Sequence, residues 1–192
     1  LKHVTPCNLH PREAIETNCL SLLNVLEAAR RHFVQKFIFI STDKAASSKC
    51  VMGATKRLGE IIVKNAGYTS VRFGNVLGSR GSVIPIWQKQ IDEGKKLTIT
   101  DERMERYFMT IEEACALVIE AAEKGKKGEL IILDMGKKVK ILDIAKRIIE
   151  ESRSDAQIQI TGARPGEELT EILMTFDEEK RAIKKGKFWI IK

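Results

Sequence analysis

The sequence predicts an α/β protein: a doubly wound parallel sheet with a smaller lobe attached. Short runs rich in β-branched and aromatic residues, Phe37–Ile40, Thr69–Phe73 and Leu130–Leu133, alternate with stretches of helical periodicity, the pattern of parallel sheets covered on both faces. Phe37–Ile40 is apolar throughout, as in a strand buried on both faces, and it stops abruptly at Ser41-Thr42-Asp43-Lys44. Beyond Gly78 the character changes: a short apolar helix and the alternating strand Leu97–Thr100 read as a smaller lobe.

Pro11 to His32 reads as one long amphipathic helix. Ile15, Cys19, Leu22, Leu23, Leu26 and Ala29 recur at helical spacing, and Arg30-Arg31-His32 suit the negative end of its dipole. The strand Phe37–Ile40 follows. A Ser/Ala-rich turn then leads into a helix from Met52 to Asn65, closed by Gly67, with Leu58, Ile61 and Ile62 as apolar positions. Thr69–Phe73 is the second strand and runs into Gly74-Asn75-Val-Leu-Gly78-Ser-Arg80-Gly81. In the smaller lobe, Val83–Ile91 is a short apolar helix expected to break at Pro85, and Leu97–Thr100 is a strand. Ile111–Glu123 is amphipathic through Ala114, Cys115, Leu117, Val118 and Ala121. Leu130–Leu133 is a buried strand ending in Asp134-Met-Gly136. Ile141–Glu150 is a helix, Ile158–Ile160 a strand, and Phe188–Ile191 a last short strand or docking segment. The expected division places 1–78 and 109–136 in the sheet domain, and 79–108 and 137–192 in the lobe.

At 192 residues, 43% hydrophobic and 31% charged, the chain is long enough to bury a core. No run approaches the roughly 18 apolar residues of a membrane span and no signal peptide begins the chain, so this segment is expected to make no membrane contact. It opens at Leu1 in mid-pattern, and N-terminal residues are expected to be missing. The net charge of +7 is spread over small clusters, Lys126-Lys127, Lys137-Lys138-Val-Lys140 and Lys184-Lys185. No basic stripe is interleaved with aromatics, which argues against nucleic acid and suits an anionic small substrate. Cys7, Cys19, Cys50 and Cys115 have neither C-x-x-C spacing nor nearby histidines; they read as reduced, cytoplasmic thiols, with Cys19 and Cys115 on apolar helical faces. His3, His10 and His32 share no pattern, and no metal site is expected.

The residues that carry chemistry gather where Phe37–Ile40 ends. Open α/β folds bind ligands at the carboxyl edge of the sheet, and Ser41, Thr42, Asp43 and Lys44 put hydroxyl, carboxyl and ammonium groups there. The same residues would also serve simply to cap a helix. Lys56 lies one helical turn beyond Met52 and shares its face. A dinucleotide fold needs a glycine-rich turn after its first strand, and no G-x-G-x-x-G occurs; Gly74, Gly78 and Gly81 follow a late strand without opening a helix in that pattern. Either this is no dinucleotide fold, or its first βαβ units precede residue 1.

Six runs occur in one order: Ser41-Thr-Asp-Lys-Ala45, Val51-Met-Gly-Ala-Thr-Lys-Arg57, Val71-Arg-Phe-Gly-Asn-Val-Leu-Gly-Ser-Arg-Gly-Ser-Val83, Arg106-Tyr-Phe-Met-Thr110, Asp134-Met-Gly136 and Arg164-Pro-Gly-Glu167. In this combination the whole chain resembles the polysaccharide-biosynthesis branch of the extended short-chain dehydrogenase/reductases, whose best-known members are UDP-N-acetylglucosamine 4,6-dehydratases. The resemblance implies the rear half of a Rossmann-like domain with a nucleotide-sugar-binding lobe. Two departures stand out. Most short-chain enzymes carry Tyr-x-x-x-Lys, whereas Met52 stands at the first position, as in a branch with larger, often membrane-anchored members. The interval from Lys56 to Arg72 is only 16 residues, several fewer than the family pattern leads one to expect.

The reaction implied has three steps. Hydride leaves sugar C4 for a nicotinamide, giving a 4-ketone; a base takes the C5 proton while an acid protonates the departing C6 hydroxyl; the hydride returns at C6. The resemblance assigns Asp43 as the acid and Lys44 as the base, although the residues alone do not fix which is which. A thioether exchanges no proton, so the 4-hydroxyl proton falls to Thr42 or Ser41 assisted by Lys56, or to an ordered water. By the same resemblance Lys56 orients the nicotinamide ribose, and the Phe73 and Gly74 backbone faces the cofactor, NADP or NAD. Asn75, Arg106 and Arg164 meet the UDP diphosphate, Glu167 takes the uridine ribose hydroxyls, and the strand around Thr98 offers backbone hydrogen bonds to uracil. A UDP-sugar and a homo-oligomeric assembly are the expected partners. This chain alone is expected to bind no dinucleotide and to be inactive. A sugar-nucleotide C4 or C5 epimerase is the rival among enzymes, and a non-catalytic sugar-nucleotide-binding subunit, motivated by Met52, the rival outside them.

Overall fold

The computed structural model describes residues 1–192. In chain order the elements are α1 (Val4–Leu9), α2 (Pro11–Ile15), a π-helical turn (Glu16–Leu20), α3 (Ser21–Arg31), β1 (Ile38–Ile40), α4 (Lys44–Ser47) and α5 (Val51–Asn65). There follow β2 (Thr69–Arg72), β3 (Asn75–Val76), α6 (Val83–Asp92), β4 (Leu97–Ile99), β5 (Glu105–Arg106), β6 (Phe108–Met109), α7 (Ile111–Lys124) and β7 (Leu130–Leu133). The last are β8 (Val139–Lys140), α8 (Ile141–Glu151), β9 (Ile158–Ile160), α9 (Phe176–Arg181), β10 (Ile183–Lys185) and β11 (Phe188–Ile191). No helix is long and apolar enough to cross a membrane.

The chain divides into two units. The sheet unit comprises Leu1–Phe73, Cys115–Asp134 and Ile172–Lys192. Its five strands run in the order β1-β2-β7-β11-β10, the first three parallel, with Ile38 opposite Thr69 and Ser70 opposite Leu130. One face packs Val71, Ile131 and Phe188 against Leu117 and Ala121 of α7. The other packs Phe39 under Leu22 and Leu26 of α3 and Val63 of α5. Helices on both faces of a largely parallel sheet make this the α/β, doubly wound arrangement expected from the alternation. The smaller unit, Gly74–Ala114 and Met135–Glu171, has three two-stranded pairings, β3 with β6, β4 with β9 and β5 with β8. Its core is Trp87, Leu97, Ile99 and Ala145, wrapped by α6 and α8.

Several expectations are corrected. Residues 172–192 belong to the sheet unit, not the lobe, because β11 pairs antiparallel with β7 and β10 with β11; residues 74–78, 109–114 and 135–136 go to the smaller unit, where Asn75 pairs with Phe108 and Val76 with Met109. β1 is not buried throughout: Phe39 is buried, but Ile38 is only partly so and Ile40 is 40% exposed. The helix from Pro11 is interrupted by the π turn, whose extra residue shifts the inward face to Ala14, Cys19, Leu22, Leu26 and Ala29 and leaves Ile15 and Leu23 exposed. α5 faces inward through Met52, Thr55, Gly59, Glu60 and Val63, so Leu58 and Ile61 are exposed. The reason is Gly59, where an added Cβ would lie 2.5 Å from the Phe39 ring. Pro85 does not break α6: it is the third residue of the helix, where the missing N–H has no intrahelical acceptor to lose. Cys115 is exposed, because α7 meets the sheet through Leu117 and Ala121.

Candidate active site

In the sheet unit, ladder bonding continues past β1. Ser41 N–H donates to the Val71 carbonyl at 2.8 Å and Asp43 N–H to the Phe73 carbonyl at 3.1 Å, so backbone hydrogen bonds hold the polar residues alongside β2 and the residue after it. The chain then turns into α4. Asp43 caps it and is itself buried, and its Oδ1 accepts from Lys44 N–H at 2.9 Å, Lys44 Nζ at 3.1 Å and Thr42 Oγ1 at 2.9 Å. The Lys44 side chain is about one-fifth exposed, where Asp43 is sealed. Gly53 explains how the next helix comes so close: a Cβ there would overlap the Lys44 carbonyl oxygen. Met52 beside it is buried with Cys7, Ala14 and Cys50, so the thioether packs in core.

Met52, Lys56 and Glu60 are spaced four apart on α5 and form one column. Lys56 Nζ donates to the Ile40 carbonyl at 2.9 Å and stands 4.8 Å from the centre of the Phe39 ring. Burial pulls its pKa below the ordinary lysine value, with Glu60 opposing. Glu60 Oε1 accepts the Ser41 hydroxyl at 2.5 Å. Ser41 is therefore turned inward, and Thr42 is the hydroxyl beside Asp43 and Lys44.

Behind Ser41 lies a cluster of buried charge. Arg72 is fully buried on β2 and pairs with Glu60 at 2.6 Å and with Glu178 at 2.8 Å; its Nη1 also donates to the Leu173 carbonyl at 2.8 Å. Arg57 joins both glutamates. Burial pushes the Glu178 carboxyl up, but the Arg72 hydrogen bonds prevail and hold it at about 2; the Arg72 guanidinium is correspondingly raised.

In the smaller unit the predicted substrate residues are placed differently. Arg106 is buried: Nη1 donates to the Glu105 and Leu169 carbonyls at 2.9 and 3.1 Å, Nη2 to the Glu168 carbonyl at 2.8 Å, and Nε pairs with Glu171 at 3.2 Å. Its donors hold the Glu168–Glu171 segment. Asn75 Nδ2 lies 3.4 Å from Glu171 Oε2 and 3.2 Å from the Tyr107 carbonyl, so Glu171 joins Asn75 to Arg106. Arg164 is exposed at the head of a turn: Glu167 N–H donates to its carbonyl at 3.0 Å, Gly166 has φ +82°, and Pro165 sits between. That is the pattern of a type II turn, with glycine at the position that requires positive φ. Glu167 Oε2 in return accepts Arg164 N–H at 2.9 Å. The Thr98 backbone is already engaged, its N–H with Gln90 Oε1 at 3.1 Å and its carbonyl with Trp87 Nε1 at 2.8 Å.

The implied nicotinamide cofactor can be tested against these residues. Lys56 fits: its ammonium carries donors beyond the one taken by Ile40. Phe73 and Gly74 fit less simply, since the Phe73 carbonyl accepts from Asp43 and the Gly74 N–H faces Met135 Sδ at 2.9 Å. No glycine-rich pyrophosphate turn occurs in residues 1–192. No group of three His, Cys, Asp or Glu side chains is placed to hold a metal ion. Sequence reasoning missed Glu60, Arg72, Glu171 and Glu178. For Glu60 a signal existed, since it continues the Met52–Lys56 spacing by one more turn.

The chain is similar in sequence and fold to known proteins. The family model described as polysaccharide biosynthesis protein matches residues 1–192. The capsular polysaccharide biosynthesis protein CapD of Staphylococcus aureus is 47% identical over 187 residues, covering 92% of this chain and 31% of CapD. A UDP-glucose 4-epimerase of Rickettsia canadensis is 36% identical over 200 residues, covering all of this chain and 58% of that protein. The crystal structure of Pen from Bacillus thuringiensis superposes with a TM-score of 0.96 at 40% identity, over all of this chain and 63% of Pen. The chain thus spans between about a third and two thirds of the length of these relatives.

Proposed function

The chain belongs to the polysaccharide biosynthesis protein family, and from that premise we propose that the protein containing it is a nucleotide-sugar 4,6-dehydratase that converts UDP-N-acetylglucosamine to its 4-keto-6-deoxy product in the cytoplasm. One observation carries the reading: a single oxygen, Asp43 Oδ1, accepts hydrogen bonds from both the Thr42 hydroxyl and the Lys44 side-chain nitrogen. That contact supports reading Asp43, Lys44 and Thr42 as an acid, a base and a proton relay within one turn of chain.

A nicotinamide dinucleotide, NAD or NADP, supplies the hydride chemistry at C4 and C6, and Lys56 is the residue suited to hold its ribose. The remaining work is proton transfer. Thr42 takes the proton of the sugar 4-hydroxyl and passes its own to Asp43 Oδ1. Lys44, in its neutral form, removes the C5 proton that the 4-ketone acidifies. Asp43 returns its proton to the C6 oxygen, which leaves as water, and Lys44 restores a proton at C5. Two protons are taken up and two delivered, so the pair ends as it began. Met52 takes no part in this relay. Arg164, exposed on its turn, suits the diphosphate as a bidentate donor, with Asn75 and Arg106 shaping the segment near Glu171.

Incubation of the protein with UDP-N-acetylglucosamine and NAD or NADP in heavy water tests this. The expected product lacks the 6-hydroxyl, carries a 4-ketone and holds one deuterium at C5. The likeness to a UDP-glucose 4-epimerase favours a second reading, C4 epimerisation. An intact 6-hydroxyl with an inverted C4 and no deuterium at C5 would replace the first reading with the second.

A further inference from the structure

The reaction just described leaves unused three charged side chains buried behind Ser41, Glu60, Arg72 and Glu178, and the partly exposed Arg57 beside them, and their wiring ends at the turn that carries Thr42, Asp43 and Lys44. Glu60 Oε1 accepts Ser41 Oγ–H at 2.5 Å and Arg72 Nε–H at 2.9 Å, while its Oε2 takes Arg72 Nη2 at 2.6 Å and Arg57 at 3.1 Å. The other side of Arg72 is gripped by Glu178, which also accepts Thr175 N–H at 2.9 Å as the capping box of α9. A buried ion cluster is weak evidence for stability, since apolar residues of equal volume often do as well. Apolar residues could not, however, offer an acceptor to Ser41. On α5, Lys56 holds the Ile40 carbonyl and Glu60, one helical turn on, holds the Ser41 hydroxyl. Consecutive residues are thus clamped just before Thr42, Asp43 and Lys44.

We infer that Glu60 is a positioning residue for the Thr42–Lys44 turn, fixed in place through Arg72 by Glu178 of the C-terminal segment. The effect on rate rests on the dehydratase reading; the effect on the turn does not. A misplacement of about 1 Å can cost about 100-fold in rate, so a clamp at this point sets kcat rather than substrate affinity.

Ser41→Ala cuts the clamp at the turn and leaves all four charges paired, so it is the variant to measure first. Turnover should fall about 10- to 100-fold with KM for the UDP-sugar unchanged within about twofold. Amide exchange across Ile40–Ala46, measured on the cofactor-free protein, should rise about fivefold. Ser41→Thr, which keeps the hydroxyl, should restore both. Glu60→Gln and Glu178→Gln should reproduce the exchange change where they fold. Wild-type exchange and kcat in Ser41→Ala would overturn the inference, as would a lower melting temperature with no change in either. If no UDP-hexose is turned over by the unaltered protein, the dehydratase reading falls, and the exchange measurement still decides the positioning role.

Discussion

The sheet unit and the smaller unit hold their candidate functional residues in different ways. In the first, Thr42, Asp43 and Lys44 follow directly from a strand, tied to β2 and the residue after it by the Ser41–Val71 and Asp43–Phe73 backbone bonds and backed by buried ion pairs. In the second, Arg164 and Glu167 sit on an exposed turn, and Asn75 and Arg106 are joined through Glu171 among two-residue strands. On the proposed function, the difference follows the demands of each task. Proton transfer needs groups fixed to within about half an ångström, which rigid elements supply, whereas recognition of a nucleotide-sugar tolerates loops.

The sharpest way to break this contrast is Lys44→Ala. Removing the proposed C5 base should lower kcat by about 10²- to 10⁴-fold while calorimetry finds UDP-sugar affinity little changed. Arg72→Met tests the rigid side by stability. It leaves the buried Glu60 and Glu178 with only the partly exposed Arg57 to pair both, and should cost about 3 kcal/mol in urea unfolding, against about 0.5 kcal/mol or less for a surface arginine such as Arg12.

Acid titration probes the same cluster. The Glu178 carboxyl is held at about 2, below its unfolded value near 4.5, so its contribution is fully present above about pH 4.5 and is lost as pH falls through 2. Unfolding midpoints should therefore drop between about pH 4.5 and pH 2, and Glu178→Gln should flatten that part of the profile. Arg164→Ala is the gentlest change. Loss of a charged hydrogen-bonding fork should raise KM for the UDP-sugar about 10- to 100-fold with kcat nearly intact. If Lys44→Ala and Arg164→Ala lost rate and affinity equally, the two units would not divide the work in this way.

What could be read from residues alone was local. The strand at Phe37–Ile40, the polar stop after it and the face shared by Met52 and Lys56 each depend on neighbours a few positions away. The resemblance then supplied roles for those residues. Burial was harder to read than periodicity. Leu58, Ile61 and Leu23 carry the right spacing and still face outward, because one glycine on Phe39 and one π turn choose which side of each helix is inward.

Composition, element order, the family resemblance and the strand-end cluster were determined by the sequence by itself, since φ/ψ preference and hydrophobic period act over one or two turns. Tertiary structure alone decided that Arg72 meets Glu178, 106 residues on, that Arg106 meets Glu171, and that Phe188–Ile191 completes the sheet rather than the lobe. Those pairings depend on where the chain returns, and a buried charge reveals its partner only once the path that closes over both has been laid down.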